Sequence, residues 1–485
     1  MSRVLSAVAS HAALQPNSQA IRGQDIALSY ADLAKALDSA KTWLEAELAN
    51  VPRDAPVAIA LDNGPAWVVL DLALIGLRRP CLPLPQFFNA EQRAHALADC
   101  GAAAILRAAQ PGEATGVRLG GTAVVAQPLT APSRQLHVGA AKITYTSGST
   151  GRPKGVCLSL AQMENVAASV VTALGATYAG AHMPVLPLGV LLENVAGLYA
   201  VMLAGGAYFA PPLRALGYGQ DFKPDIKQLA DLVEAQAITS LIMPPELLRG
   251  LTQLLVATGR RLPSLRFVAV GGAKVAPQLV EAARDVGLPA HEGYGLTECA
   301  SVVSLNTPTA DRSGAVGRPL AHVDLRVAAD GELIIGNAPF LGYVGEAAQV
   351  GAFATGDIGR IDPQGFVAIS GRKSNMLITA MGRNVAPEWV ESELAAQPEI
   401  AQSVVFGEGA DELCALLVPS GTGLGETAVA QAVARANAAL PPYARIGRWR
   451  VAAPFDPTRG ELTANGRPRR EALAAAHREF IDFQP

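Results

Sequence analysis

The chain has 485 residues, of which 50% are hydrophobic and 17% charged, and its net charge is −3. This length exceeds what one hydrophobic core normally supports, so we expect two or more domains. The chain has no excess of positive charge, so we do not expect nucleic acid as a partner. No segment is apolar over enough residues to cross a membrane.

The N-terminus and the cysteines favour a soluble cytoplasmic protein. Residues 1–15 contain no basic segment followed by an apolar block, so we expect no secretory signal. The cysteines are odd in number and include no CxxC pair, which predicts neither disulfides nor a zinc site. They are Cys81, Cys100, Cys157, Cys299 and Cys414.

Helices and strands alternate in the first part of the chain. The pattern predicts helices over residues 29–48, 67–77 and 90–99, strands over 56–61 and 102–106, and a loop with one short strand over 107–135. This alternation is typical of a layered α/β architecture with partly parallel sheets.

Residues 145–155 lie between two apolar segments, namely 142–145, which we predict as a short strand, and 156–160. Seven of these eleven residues are Ser, Thr or Gly. Glycines let backbone N–H groups approach oxygens closely, and hydroxyls and a lysine add further contacts, so the stretch predicts a phosphate-binding loop. A Walker A loop does not fit, because Pro153 precedes Lys154 and Gly155 follows it. An ordinary surface turn is the alternative.

The middle of the chain continues the α/β pattern. We predict helices over 160–174, 195–203, 226–235, 246–258 and 277–286, a buried strand over 184–188, and strands over 240–243 and 267–270. Short strands over 325–327, 332–336 and 366–369 predict a small β-subdomain.

The last part of the chain suits a small α+β domain. Helices are predicted over 387–394 and 426–440, and a strand pair over 404–406 and 414–418. We therefore expect a large domain over 1–372 and a lid over 373–485.

A second polar motif covers residues 291–298. A tyrosine lies between two glycines, followed by a hydroxyl and a carboxylate. A turn from strand to helix is where nucleotides bind in α/β sheets, although these residues also suit a simple helix cap. The motif contains Glu292, Gly293, Tyr294, Gly295, Thr297 and Glu298.

Five ordered motifs resemble those of the adenylate-forming superfamily, which comprises acyl-CoA synthetases, luciferases and peptide-synthetase adenylation domains. Besides the two stretches above, the motifs lie at 355–357 with 371–372, at 382–387 and at 461–470. The resemblance spans residues 30–470 and is strongest to fatty-acyl-CoA synthetases. It implies an α/β fold with a large N-terminal domain of layered sheets and helices, a β-subdomain, and a small mobile C-terminal α+β lid.

The same resemblance implies binding of ATP and Mg²⁺. Tyr294 would lie against adenine, Thr297 would hold the α-phosphate, and Glu298 would bind Mg²⁺, for which one carboxylate plus substrate phosphates suffices. Asp357 would hold the ribose hydroxyls. The implied nucleotide-binding residues are Thr146, Ser147, Gly148, Ser149, Thr150, Gly151, Lys154, Gly272, Ala273, Glu292, Gly293, Tyr294, Gly295, Thr297, Asp357, Arg372 and Gly382.

The sequence departs from the family pattern at three places. Arg467 stands where the family has a lysine that bridges the carboxylate and the α-phosphate. Losing such a preorganised donor costs about 3 kcal/mol of transition-state stabilisation. Arginine keeps the charge but is not interchangeable with lysine. We expect slowed adenylation. Ser374 occupies the hinge position. Gly189 and Val190 replace an aromatic–His pair, and with the glycine pairs at 205–206 and 271–272 they predict a roomy apolar pocket for an aliphatic acid.

The predicted activity is that of an acid–thiol ligase. A carboxylic acid would react with ATP to give acyl-AMP, with Lys154, Thr297, Glu298 and Arg467 as catalytic residues. A thiol of coenzyme A or of a carrier-protein phosphopantetheine arm would then enter by the loop at Gly382.

Two alternatives stay open: a ligase that loads only an acyl carrier protein, and a non-catalytic acyl or nucleotide binder. A basic cluster could bind coenzyme A phosphates or an acidic carrier, although a solvated surface is the default interpretation. Its members are Arg445, Arg448 and Arg450.

Overall fold

The computed structural model describes residues 2–482 apart from 114–115, 131–133, 147–152, 176–179, 220–223, 422, 457–458 and 464–466. Its α-helices are α1 (Arg3–Leu14), α2 (Tyr30–Glu47), α3 (Pro65–Gly76), α4 (Ala90–Cys100), α5 (Leu160–Leu174), α6 (Ala200–Ala204), α7 (Ile226–Ala235), α8 (Pro245–Thr258), α9 (Pro277–Asp285), α10 (Pro387–Ala395), α11 (Glu426–Ala438), α12 (Arg470–Ala476) and α13 (Arg478–Ile481). A π-helix over Glu193–Tyr199 leads directly into α6.

The strands of the described residues fall into two groups, before and after α9. The first group is β1 (Gln19–Arg22), β2 (Ala27–Ser29), β3 (Val57–Ala60), β4 (Cys81–Pro83), β5 (Ala104–Ala108), β6 (Val117–Leu119), β7 (Thr122–Pro128), β8 (Ala140–Thr146), β9 (Lys154–Ser159), β10 (Ala181–His182), β11 (Ala207–Phe209), β12 (Ser240–Met243) and β13 (Phe267–Val270). The second is β14 (Ala290–Tyr294), β15 (Ser304–Leu305), β16 (Arg318–Pro319), β17 (Leu325–Val327), β18 (Glu332–Ile335), β19 (Gly342–Tyr343), β20 (Phe353–Ile361), β21 (Val367–Arg372), β22 (Leu377–Ile378), β23 (Asn384–Val385), β24 (Ile400–Phe406), β25 (Leu413–Pro419) and β26 (Ile446–Val451).

Two large mixed sheets form the body of the protein. Their strand orders, within the described residues, are β16-β15-β14-β13-β12-β10-β11-β1-β2 and β19-β9-β8-β4-β3-β5-β7-β6. Strands β17, β18, β20 and β21 make a separate antiparallel sheet, which is the predicted β-subdomain. The C-terminal part has a sheet of β24, β25 and β26 packed on α10 and α11.

Local signals explain where several helices begin. Ser29, Asn89 and Ser159 each accept a hydrogen bond from the third helical residue, whose side chain bonds back to the cap, so α2, α4 and α5 all start with a capping box. Helix α3 is buried on nearly every side, because it lies in the core between the sheets. The core unites residues from both large sheets, for example Ile59 with Phe267.

Most predicted elements are confirmed, two expectations were wrong, and the N-terminal helix was missed. The elements at 226–235, 240–243 and 267–270 match α7, β12 and β13. Residues 184–188 are not a strand, since β10 ends at His182 and Leu186 and Leu188 instead bond to the side chain of Asn63. The predicted loop at 107–135 carries two strands, β6 and β7, and the N-terminal α1 was not predicted.

Candidate active site

The polar stretch at 145–155 connects two antiparallel strands. In the β8–β9 hairpin Thr146 pairs with Lys154, so these residues lie opposite each other where the strands end. The predicted phosphate contacts of Ser147, Gly148, Ser149, Thr150 and Gly151 lie outside the described residues and stay predictions. The hairpin nevertheless fixes both ends of the loop, which brings Thr146 and Lys154 to one site.

Tyr343 links Lys154 to Glu298. The Lys154 Nζ lies 5.0 Å from the centre of the Tyr343 ring, and the Tyr343 hydroxyl donates a 2.8 Å hydrogen bond to Glu298 Oε1. Strand β19 holds Tyr343 in register with Val156, on the strand that begins with Lys154. The amine and the carboxylate therefore face the same tyrosine from the two predicted motifs. Sequence reasoning missed Tyr343, because the short strand β19 that contains it has no distinctive sequence pattern.

Lys154 also forms an ion pair with Glu346. Its Nζ lies 3.0 Å from Glu346 Oε1, and both side chains are about half exposed, at 45% and 51%. An exposed pair of this kind contributes roughly 0–1 kcal/mol. Lys154 can therefore exchange Glu346 for a more highly charged anion at little cost.

Asp357 is the centre of a buried polar group between β20 and β21. Its Oδ2 accepts a 2.6 Å hydrogen bond from Tyr294, and its Oδ1 lies 3.0 Å from Arg372 Nε, since Asp357 and Arg372 are paired residues of the two strands. Burial raises the pKa of Asp357, against the opposing charge of Arg372 and the Tyr294 bond. Each carboxylate oxygen keeps a further lone pair, so the group can accept from sugar hydroxyls.

Glu292 contributes an unpartnered buried oxygen. It lies on β14 beside Val270 of β13, at the carboxyl end of adjacent parallel strands. Its side chain is 4% exposed, and Oε2 has no hydrogen-bond partner among the described residues. Burial raises the pKa of Glu292 to about 7, against the Gly314 N–H and the charge of Lys274. A buried acceptor of this kind fits an amino group of a nucleotide base.

The remaining residues of the second motif form the end of β14 and the turn that follows it. Gly293 and Tyr294 end the strand, Gly295 lies in the turn, and Thr297 begins a short 3₁₀ turn with Glu298. Thr297 is half-buried and its backbone oxygen accepts from Ala300. The turn thus presents a hydroxyl and a carboxylate on consecutive residues.

Glu298 is the residue that the sequence predicts to hold Mg²⁺, and this role stays a prediction. Among the described residues no cluster of three or more His, Cys, Asp or Glu side chains has a metal-binding arrangement. Magnesium sites built on substrate phosphates need one or two carboxylates and keep several waters. The single carboxylate of Glu298 fits that kind of site rather than a cage made by the protein alone.

Arg467 reaches the same cleft from the C-terminal part. Its Nη2 donates to the carbonyl oxygen of Gly272, next to Ala273 in the predicted nucleotide site. Arg467 also lies close enough to Asp357 for its charge to act on that carboxyl group. Arg467, Asp357 and the predicted nucleotide residues Gly272 and Ala273, which are distant in the sequence, therefore lie close together.

Gly382 is not brought to this cleft by the contacts that the structure records. It lies in the exposed turn between β22 and β23 and donates its N–H to Thr379 within that hairpin. Its predicted part in admitting a thiol stays a prediction, as does the hinge at Ser374, which lies in a short 3₁₀ turn after β21.

The expected roomy pocket is not supported by the glycines that suggested it. A Cβ atom on Gly189 would lie 3.1 Å from the Pro85 nitrogen, and one on Gly205 would lie 2.8 Å from the His11 ring, so both allow close packing. Nearby, the buried Glu193 pairs with His182 and accepts from Tyr208, while its Oε2 has no partner among the described residues. The interior beyond Val190 is thus more polar than the sequence suggested.

All five cysteines are free and buried.

None of the helices in the described ranges combines the length and the apolar character needed to span a bilayer.

This chain belongs to the AMP-binding enzyme family. The family model described as AMP-binding enzyme matches residues 8–344, and that described as AMP-binding enzyme C-terminal domain matches residues 374–483. The predicted domain boundary after residue 372 falls between the two matched regions and stays a prediction.

Curated relatives include ligases for two kinds of acid. A long-chain fatty acid–CoA ligase of Mycobacterium bovis is 34% identical over 241 residues, which cover 43% of this chain and 40% of the relative. A 2-succinylbenzoate–CoA ligase of Bacillus velezensis is 30% identical over 289 residues, covering 55% of each chain. The matched region thus spans about half the length of these relatives.

Solved structures share the fold over nearly the whole chain. The anthranilate CoA ligase AuaEII, in complex with anthranoyl-AMP, has a TM-score of 0.82 at 18% identity and covers 98% of this chain and 97% of its own. The o-succinylbenzoate CoA synthetase of Bacillus subtilis has a TM-score of 0.76 at 21% identity, covering 96% and 97%. The predicted α/β fold with a large N-terminal and a smaller C-terminal domain is confirmed.

Proposed function

We propose that the protein is an acid–thiol ligase that activates a carboxylic acid with ATP to acyl-AMP and transfers the acyl group to a thiol. The observation that carries the proposal is that Lys154 and Glu298 share Tyr343, while Arg467 bonds to Gly272 and lies near Asp357. Arg372 connects the two groups, because it lies close enough to act electrostatically on both Tyr343 and Arg467. Family membership and the relatives with CoA ligase activity support it.

The nucleotide side of the reaction depends on positioned charges. When bound, ATP supplies the electrophilic α-phosphorus and Mg²⁺ neutralises phosphate charge. Lys154 would leave its exposed pair with Glu346 to bind phosphate oxygens, Glu298 would hold the metal, and Thr297 would donate its hydroxyl. Charge stabilisation and positioning are the main contributions that proteins make to such reactions.

The sugar and the base would be held by the buried carboxylates. Asp357 accepts from the ribose hydroxyls, while Arg372 keeps the Asp357 side chain in place. Glu292 Oε2 supplies the acceptor for the amino group of adenine. Glu292 lies at the carboxyl end of adjacent parallel strands, and Asp357 lies in a strand paired with β21. The two carboxylates therefore need little reorganisation to bind the nucleotide.

Arg467 would stabilise charge between the acid and the α-phosphate. It retains the positive charge of the family lysine, and its planar guanidinium already reaches the Gly272 carbonyl. Because arginine is larger and less adaptable than lysine, we expect a slower first half-reaction. The second half-reaction would follow a rotation of the C-terminal domain about Ser374, which brings the Gly382 turn to the cleft. This motion and the thiol, on coenzyme A or on a carrier-protein phosphopantetheine arm, are parts of the proposal.

The acid is an aliphatic or aromatic carboxylic acid. The fatty acid–CoA ligase relative supports the aliphatic assignment made from the sequence, and the 2-succinylbenzoate–CoA ligase relatives support an aromatic one. We place the reaction in the cytoplasm.

The test is ATP–pyrophosphate exchange with a panel of fatty, aryl and dicarboxylic acids. We expect exchange with at least one acid, its loss in Lys154→Met, and formation of the corresponding thioester when coenzyme A or a phosphopantetheinylated carrier is added. Binding of ATP without exchange for any acid would refute the ligase and support the non-catalytic binder that the Arg467 substitution raises. Thioester formation only with the carrier would support the carrier-specific ligase.

A further inference from the structure

Arg249 joins the large N-terminal domain to the C-terminal part of the chain. It lies on α8, and its Nη1 donates to the carbonyl oxygens of Ala395 at 2.9 Å and of Ile400 at 2.8 Å. Its Nη2 donates to the carbonyl of Ala401 at 3.3 Å. One guanidinium group therefore binds three backbone carbonyls that are about 150 residues away in the sequence.

The position of these carbonyls explains why an arginine suits the site. Ala395 is the last residue of α10, and Ile400 and Ala401 begin β24. The carbonyls at the end of a helix have no partner within the helix and carry partial negative charge. The planar guanidinium can donate to several acceptors at once, whereas an ammonium group is a single point charge. Arg249 thus recognises the C-terminal end of α10.

Helix α10 is in turn tied to the segment that carries Arg467. Arg470 donates to both oxygens of Glu391 in α10, at 2.6 and 2.9 Å, and to the carbonyl of Val405. Three residues earlier, the backbone N–H of Arg467 donates to Thr463 and its carbonyl accepts from Thr463. Any displacement of α10 therefore also displaces Arg467.

Helix α8 contacts the same region at a second point. Glu246, one turn before Arg249, lies close enough to interact electrostatically with both Arg249 and Arg467. One face of α8 thus approaches the C-terminal part both at the end of α10 and near the Arg467 guanidinium. These contacts belong to the orientation in which Arg467 reaches Gly272.

We propose that Arg249 is a positioning residue that holds the C-terminal domain in the orientation competent for adenylation. This inference rests on the proposed function for its catalytic consequence. In the rotation about Ser374 that the proposed second half-reaction requires, residues 395–401 would leave α8, so the three bonds would stabilise the adenylation orientation and not the thiol-accepting one. Removing them shifts the balance between the two orientations while leaving both active centres intact.

The catalytic test compares the half-reactions in Arg249→Ala. We expect the maximal rate of pyrophosphate exchange to fall roughly tenfold to a hundredfold, as for loss of hydrogen bonds to a charged group, with little change in the KM for ATP. Thioester formation from synthetic acyl-adenylate should be unchanged or faster. Arg249→Lys should restore part of the exchange rate, and Arg266→Ala, an exposed arginine nearby, should match the wild type.

A second measurement separates this inference from the proposed function. Hydrogen exchange of the intact protein, without substrates, should become faster in Arg249→Ala at the amides of residues 395–401 and 267–273, with an unchanged melting temperature. If the wild type lacks exchange activity but these amides respond, the ligase assignment fails and Arg249 still sets the domain orientation. If both half-reactions fall equally, or if the amides do not respond, Arg249 is not a positioning residue.

Discussion

Replacing Glu292 with Gln tests whether burial raises the pKa of the Glu292 carboxyl group. The ordinary pKa of a glutamate is 4.5, and burial raises that of Glu292 to about 7. Since each pKa step corresponds to about 1.4 kcal/mol, the ionised side chain reduces the free energy of unfolding by about 3 kcal/mol. Glutamine has a similar shape and no charge, so the variant does not incur this loss.

The sign follows from where the proton is bound. Below about pH 4.5 the carboxyl is protonated in both the folded and the unfolded chain and contributes no pH dependence. As the pH rises towards the folded-state pKa of about 7, the unfolded chain releases the proton first, so the wild type loses stability. The stability of Glu292→Gln relative to the wild type should therefore rise by about 3 kcal/mol between about pH 4.5 and about pH 8.

Urea-induced unfolding followed by intrinsic fluorescence over this pH range measures the difference. Glu47→Gln is the matched control, because it makes the same substitution at an exposed residue of α2. A stability difference for Glu292→Gln that stays constant with pH would show that the carboxyl titrates normally. The burial argument for Glu292, and its role as a preformed acceptor for the base, would then be refuted.

Three other outcomes are expected. Arg467→Lys should raise the exchange rate several-fold, because lysine adapts more easily to the α-phosphate; an unchanged rate would rule out arginine as the cause of slow adenylation. Lys142→Met should destabilise the protein by about 3–5 kcal/mol in chemical unfolding, because it leaves the buried Asp71 unpaired, and Lys142→Met with Asp71→Leu should recover most of that loss. Asp357→Asn should weaken AMP binding in calorimetry by roughly tenfold or more, since a charge-assisted acceptor is lost; equal affinity would remove Asp357 from the sugar site.

Elements with regular periodicity could be predicted closely from the sequence. Helix α7 and strands β12 and β13 agree with the predicted bounds because their flanking residues, such as Asp225 before α7, determine where they begin. The segment at 184–188 was misassigned because an apolar run predicts burial, and tertiary contacts decide whether a buried run pairs as a strand. Here the side chain of Asn63 takes the hydrogen bonds that a neighbouring strand would supply.

The candidate site also contains residues that the sequence predicts and residues that it does not. Motifs predicted the candidates Lys154, Glu298, Asp357 and Arg467, since short stretches with unusual glycine and hydroxyl content are visible without a structure. Tyr343 and Arg249 were missed, because each acts through partners far away in the sequence and stands in an unremarkable local context. Contacts of this kind depend on the packing of separate elements, which single-sequence patterns do not report.

The buried group around Lys142 constrains how the acid preference of this protein can be changed. The Lys142 Nζ donates to Asp71, Asn194 and Tyr199, and the last two belong to the π-helix that follows Val190. Lys142 itself lies on β8, the strand that leads to the predicted phosphate-binding loop. Single substitutions in the π-helix that aim to change the predicted acyl pocket would also disturb β8, so libraries should vary these four residues together.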